Sequence, residues 1–364
     1  MRFVAHAPQL VAPLAAVMIA VALPTHANTI DQNTAWTITR PGATATYRVV
    51  AYGDSIFAGW YGDLFSVVKR AAPNVAGEYL SQQWGTNVQI VRRARSGARA
   101  DDIYFNKIIG ERAYMQHAAT RMVMFEMCGN DYLQARDAFH AQTGTCNYSG
   151  IENALAACTY YMEQAMAAIN WYAPHAPVKV IANLYYPGYD ADNAPSQCTD
   201  PSTGQPVNKQ DRFLPYLAKS NWRACRLARK YGFACADSFA HFMGADYDTN
   251  GDGLVDSAAL AVDPGESEKK YVERITTTLR STIRDSHAHL VNPFASFDYI
   301  LSDNVHATYY GGHIGLNVFT LTGSGSGGAD FADWQVLDGK NPVWDQYGHE
   351  RMGWAIWKFG PPWP

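Results

Sequence analysis

RVVAYGDSIFAGWYGDL, residues 48–64, begins as an apolar run and breaks at Gly53-Asp54-Ser55. From Val49 to Tyr52 the apolar residues are continuous rather than alternating, the pattern of a strand covered on both faces, as in a parallel sheet. Gly, Asp and Ser are ordinary turn formers, and a turn is the plain reading of the break. A serine at the carboxyl end of a buried strand is also where a nucleophile stands in open α/β sheets. A hydroxyl is a poor nucleophile without a base in reach and donors aimed at the developing oxyanion, so this reading needs partners elsewhere in the chain.

Four further short apolar segments resemble the first: Asn87–Ala94, Arg121–Met127, Val178–Leu184 and Tyr231–Ser238. Between them lie stretches of helical character, Leu64–Trp84, Asp101–His117, Ile151–Trp171 and Asp211–Lys230. This alternation predicts an α/β fold: a three-layer α/β/α sandwich around a mostly parallel, about five-stranded sheet. Ser55, Gly97 and Asn130 then follow the first, second and third strands, so three strand ends deliver groups to one rim. Asn28–Arg40 reads as a polar surface lead-in. The segment from Tyr347 reads as a closing helix with Met352, Ala355 and Ile356 on its inner face.

The chain opens with one arginine, an apolar stretch over about residues 10–23, and small residues at Thr25 and Ala27. That pattern predicts a secretory signal over residues 1–27, and no later segment reads as membrane-spanning. Residues 28–364 suffice for a single α/β domain with embellishments, an excursion near 246–266 and a tail or insertion near 314–364. A net charge of −4 with only 17% charged residues leaves no basic face, which argues against a nucleic-acid partner. An even count of six cysteines in an exported chain predicts disulfides, in a secreted or periplasmic setting. Cys146 and Cys158 bracket one short loop and helix start and are the expected local pair, with Cys128 a candidate free core thiol.

Of eleven histidines, His306 in LSDNVHATYYGGH has an obvious orienting acid, Asp303, three residues before it. A short turn can present both side chains to one site, as a serine–histidine–carboxylate mechanism requires. His287, His289, His313 and His349 are read as structural.

Gly53-Asp54-Ser55, Gly97 in RSGARADD, Gly129-Asn130-Asp131 in EMCGNDYL, and Asp303-Asn304-Val305-His306 occur in the order of the four sequence blocks of the SGNH, or GDSL-type, hydrolases. The chain resembles that family from about Arg48 to Gly312. The resemblance implies a flavodoxin-like sandwich and a Ser55–His306–Asp303 triad. It also implies an oxyanion hole made of the Ser55 and Gly97 backbone N–H groups and the Asn130 side-chain amide. Two departures stand out. Ala307 occupies the position where the family often has proline, and a long insertion separates the catalytic loop from the closing helix.

YDTNGDGLVDSAAL places Asp248, Asn250, Asp252 and Asp256 at positions 1, 3, 5 and 9 of an EF-hand-type loop, with Leu254 able to offer its carbonyl. Position 12 is Ala259 rather than the bidentate acid, so the expectation is a truncated structural calcium site. Catalysis itself needs no cofactor. The functional expectation is an exported serine esterase that forms an acyl-enzyme. Its substrate is a small-molecule, lipid or glycan ester, with lipid or general acyl esters favoured by Ile56, Phe57, Trp60 and Tyr61. A carbohydrate O-acetylesterase, an acyltransferase and a noncatalytic calcium-stabilised binding module are the alternatives.

Overall fold

The computed structural model describes residues 29–60, 62, 65–185, 195–244, 248, 251–263, 265–283, 305–307, 309, 313–316, 322–326 and 348–359. The proposed signal and Asp303 lie outside the described residues. Among them, strands in chain order are β1 (Ile30–Asp31), β2 (Asn33–Ile38), β3 (Thr46–Gly53), β4 (Ser66–Val68), β5 (Asn87–Ser96), β6 (Thr120–Phe125) and β7 (Gly144–Thr145). They continue with β8 (Val178–Ala182), β9 (Pro195–Thr199), β10 (Pro206–Asn208), β11 (Ala234–Ala236), β12 (His313–Gly315) and β13 (Thr322–Ser326).

The apolar run Val49–Tyr52 forms the last part of β3. It lies in the middle of the main sheet, paired in parallel with β5 on one side and β6 on the other. The parallel strands are ordered β5-β3-β6-β8-β11. In order of their appearance this is 2-1-3-4-5, the doubly wound order whose crevice opens where the chain switches direction across the first strand. Val49 and Ala51 enter one apolar layer and Val50 and Tyr52 the other. Helices Ala72–Trp84, Ser238–Met243 and Gly348–Phe359 cover the first face, with Met352, Ala355 and Ile356 buried as expected. Gly129–His140 and Ser149–Tyr172 cover the second, and Lys209–Tyr231 contributes to both layers.

The sheet is larger than the expected five strands: among the described residues it has eight. The polar lead-in is not surface. It forms β1 and β2, both antiparallel to β5, and β13 adds in parallel to β2. Gln32, Asn33 and Thr34 are buried because their partners are polar: Ser96 donates to Gln32, Lys107 Nζ to Asn33 (3.1 Å), and Arg92 Nε to Thr34 Oγ1 (2.6 Å). Composition therefore misled where buried polar groups were satisfied by one another. The expected helix over Leu64–Trp84 is likewise shorter, because β4 precedes a helix that starts at Ala72 with proline in its first turn.

The expected Cys146–Cys158 pair does not form, and Cys128 is not free. The bridges are Cys128–Cys158, Cys146–Cys198 and Cys225–Cys235. Cys158 lies well inside the helix that begins at Ser149, about 14 Å along its axis at 1.5 Å per residue, and so out of reach of Cys146. Cys146 instead continues β7, whose pairing with β9 brings it beside Cys198.

Candidate active site

Gly53 ends β3, Asp54 caps the next helix, and Ser55 is its first residue. The Asp54 Oδ1 accepts the Ile56 N–H at 2.9 Å, so the aspartate does the capping that a turn serine would otherwise do. The helix is one turn long and stops at Gly59, whose φ of +71° is a left-handed conformation suited to glycine. Ser55 is only 7% exposed, and among the described residues its hydroxyl makes no hydrogen bond. What it does is line a cleft.

That cleft encloses roughly 810 Å³ of space, its open mouth included. Asp54, Ser55, Glu126 and Asn130 are among its polar lining residues, and Phe57, Leu133, Leu184, Phe213, Leu217, Val305 and Met352 line its apolar side. Its groups come from the ends of β3, β6 and β8, as the switch-point rule anticipates.

Asn130 reaches the cleft from the first turn of helix Gly129–His140. Its Nδ2 donates to Ala98 O (2.9 Å) and to Asp54 Oδ2 (3.2 Å), which ties the third strand's loop to the first and second. Cys128, just before it, has φ +91°, a conformation rare for a side-chain-bearing residue, and is tethered by its bridge to the long helix behind. Asp131 turns the other way and accepts the Ala100 N–H at 2.9 Å. Burial pushes its carboxyl up to about 7, against the opposing pull of that N–H and of Arg99.

Gly97 sits at the turn after β5 with φ +77°, next to the carbonyl that receives the Asn130 amide. It lines a separate polar hollow with Arg95, Arg99, Asp101, Asp102 and Asn106 rather than the cleft itself.

His306 arrives from the far end of the chain. Its ring lies against Trp60, with centroids 4.1 Å apart, and the Trp60 N–H donates to Ser55 O at 3.0 Å. The preceding Val305 is held by a hydrogen bond from the Tyr185 hydroxyl to its carbonyl, and Ala307 is fully buried. His306 is near enough to Asp54 for its charge to pull the Asp54 carboxyl down, against the larger effect of burial, which raises it. His349 is structural, as expected: it is buried at the start of the closing helix, and its Nδ1 accepts the Ala72 N–H at 3.3 Å. Burial, with Arg92 and His306 nearby, lowers its pKa to about 3.

Sequence reasoning missed Glu126. It follows β6, its N–H donates to Tyr52 O, and its Oε1 accepts the Asp54 N–H at 2.6 Å. Glu126 and Asp54 are both buried, and both carboxyls are raised, Glu126 well above the usual range by burial and by the Asp54 charge. The signal was a glutamate at the end of the apolar run RMVMFEM, where no charge is tolerated without a partner.

At the expected calcium loop, Asp248 accepts the backbone N–H groups of Gly251 (2.6 Å), Asp252 (3.2 Å) and Gly253 (2.8 Å). Asp252 accepts the Leu254 N–H at 2.9 Å, Leu254 is exposed, and Asp256 is buried at a helix start. Asn250 lies outside the described residues. Among those described, no group of three or more His, Cys, Asp or Glu stands close enough to hold a metal ion, so the calcium reading gains no support from this loop.

No family model matches the sequence, and no curated protein matches it. Among solved structures, the chain is similar to the lipase Lip_vut3 from a goat rumen metagenome (16% identity, TM-score 0.41, covering 65% of this chain and 97% of that one). It is also similar to TesA (16%, 0.32, 66% and 100%) and to Axe2, an acetylxylan esterase from Geobacillus stearothermophilus (13%, 0.35, 66% and 95%). At such identities and scores the likenesses carry no weight, and the site's own residues bear the functional reading.

Proposed function

We propose that this protein is a serine esterase of the SGNH type, exported to a secreted or periplasmic location where its paired cysteines stay oxidised. The observation that carries the reading is that Ser55, with its hydroxyl unused by the turn, lines one cleft with Asn130 and Val305, the neighbour of His306. Ser55 Oγ attacks the ester carbonyl while His306 takes its proton. Asp303 orients the imidazole and stabilises its charged form. The tetrahedral oxyanion is met by the Ser55 backbone N–H and by one N–H of the Asn130 amide, turned from Ala98 O while Asp54 keeps the other, whereas Gly97 lines the neighbouring hollow. Collapse expels the alcohol, protonated by His306. Water, deprotonated by the same histidine, then releases the acid.

The wall of Phe57, Leu133, Leu184, Phe213, Leu217 and Met352 favours an aliphatic acyl chain over an acetyl group. Turnover of p-nitrophenyl esters from acetate to palmitate, by wild type beside Ser55→Ala, tests both points. Activity that peaks at medium or long chains and vanishes in a folded Ser55→Ala is the expected result. A best substrate of acetate would move the reading to a small-acyl esterase. Equal inertness of both proteins, with no labelling of Ser55 by a fluorophosphonate, would overturn it in favour of a binding module.

A further inference from the structure

The hydrolytic steps above leave unused two carboxyl groups in contact beneath the nucleophile. Glu126 Oε1 accepts the Asp54 N–H at 2.6 Å, Asp54 Oδ1 holds the Ile56 N–H and Oδ2 the Asn130 amide. The glycines of the two motifs are what allow this interlock. A Cβ on Gly53 would overlap the Glu126 carboxyl, and one on Gly129 would come 3.0 Å from Asp54 Oδ2. Neither carboxyl is bonded to an arginine or lysine among the described residues. Both carboxyls are buried side by side, where two like charges do not persist together, so the pair holds one proton.

We propose that Glu126 is a positioning residue for ester hydrolysis: its carboxyl holds the Asp54 backbone N–H, and Asp54 in turn holds Ser55's turn and the Asn130 amide in register. The inference rests on the esterase reading of the same site. Glu126 touches no reacting atom. It acts through Asp54, which ties two strand ends whose groups must meet at one carbonyl oxygen. Among the described residues, His306 from the 305–307 loop acts on Asp54, and Tyr132 and Arg136 from helix Gly129–His140 line the same cleft.

The test is steady-state turnover of p-nitrophenyl butyrate across pH by wild type, Glu126→Gln and Glu126→Ala, with fluorophosphonate labelling of each. Gln keeps both an acceptor for the Asp54 N–H and a donor for its carboxylate, without a titrating proton. Glu126→Ala is expected to lose about tenfold to hundredfold in kcat, less than outright removal of an oxyanion donor, with KM little changed. Glu126→Gln is expected to restore most of that loss. Wild-type kcat should also fall at alkaline pH as the shared proton leaves, and this fall should be absent in Glu126→Gln.

A folded Glu126→Ala with wild-type kcat, or Gln and Ala variants equally impaired, overturns the proposal while leaving an active, labelled Ser55 and the esterase reading intact. If Glu126→Ala does not fold, the alkaline limb of Glu126→Gln decides, and a limb identical to wild type overturns the proposal. A wild type that neither turns over esters nor is labelled removes both readings.

Discussion

The carboxyl group of Glu126 fills the space that a side chain on Gly53 would need. A Cβ built on Gly53 would overlap Glu126 Oε1 and come 2.8 Å from Phe57 Cβ. Gly53 is therefore required by close approach rather than by an unusual backbone angle. Gly53→Ala is expected to destabilise by about 1–3 kcal/mol, as overpacking does, and to remove most ester turnover because the turn that carries Ser55, the proposed nucleophile, must shift. Thermal unfolding and kcat, measured together, check this. A variant of wild-type stability and rate would show that the strand end yields freely.

Trp60 carries His306 on its face while its backbone N–H holds the Ser55 carbonyl. If His306 is the base proposed above, Trp60→Ala is expected to lower kcat by about tenfold or more, since its ring would be misplaced, and Trp60→Phe should keep most of it. Equal kcat in all three proteins would mean that His306 is placed by other contacts.

Leu217 projects into the cleft from helix Lys209–Tyr231. Leu217→Trp adds bulk to the apolar wall and should shift the preferred ester towards shorter chains. Against the longest substrates kcat/KM should fall by about tenfold or more, with acetate little affected. A uniform loss across chain lengths would place the acyl chain elsewhere.

Asp131 is buried, with its carboxyl raised to about 7, whereas an unfolded aspartate releases its proton near pH 4. Between those values the folded state holds a proton that the unfolded state lacks. Its contribution to stability is therefore fully present below about pH 4 and is lost as pH rises through about 7. Asp131→Asn removes this dependence, so the variant should gain on wild type between pH 4 and pH 8, by on the order of 2–4 kcal/mol in all. Denaturant melts at several pH values test it, and parallel curves would contradict it.

Cys146–Cys198 spans 52 residues and Cys225–Cys235 only 10. Loop-closure entropy assigns them about 4 and about 3 kcal/mol, so replacing the first pair by serine should lower stability more. Peptide mapping without reduction should recover these pairings and no Cys146–Cys158 fragment.

The local pattern was enough for the layers and for two of the three groups expected at one rim, Ser55 and Asn130. Continuous apolar runs from Val49, Arg121 and Val178 separated by long helical stretches allow only a sheet buried on both faces, because alternation is absent where neither face meets water. Gly53-Asp54-Ser55 and Gly129-Asn130-Asp131 were legible as strand ends because turn residues punctuate apolar runs.

Partnership between distant segments was not legible. Gln32 and Thr34 look like surface residues until β5 supplies Ser96 and Arg92, and Cys146 looks local until β9 arrives with Cys198. Glu126 gave no sign of a role until the fold set its carboxyl against the Asp54 N–H. The sequence by itself determined which elements form, since periodicity and turn chemistry act over a few residues. Only the tertiary structure decided which polar groups and thiols face one another, because a buried donor, acceptor or carboxyl is stabilised by whatever the fold brings to it, at any distance along the chain.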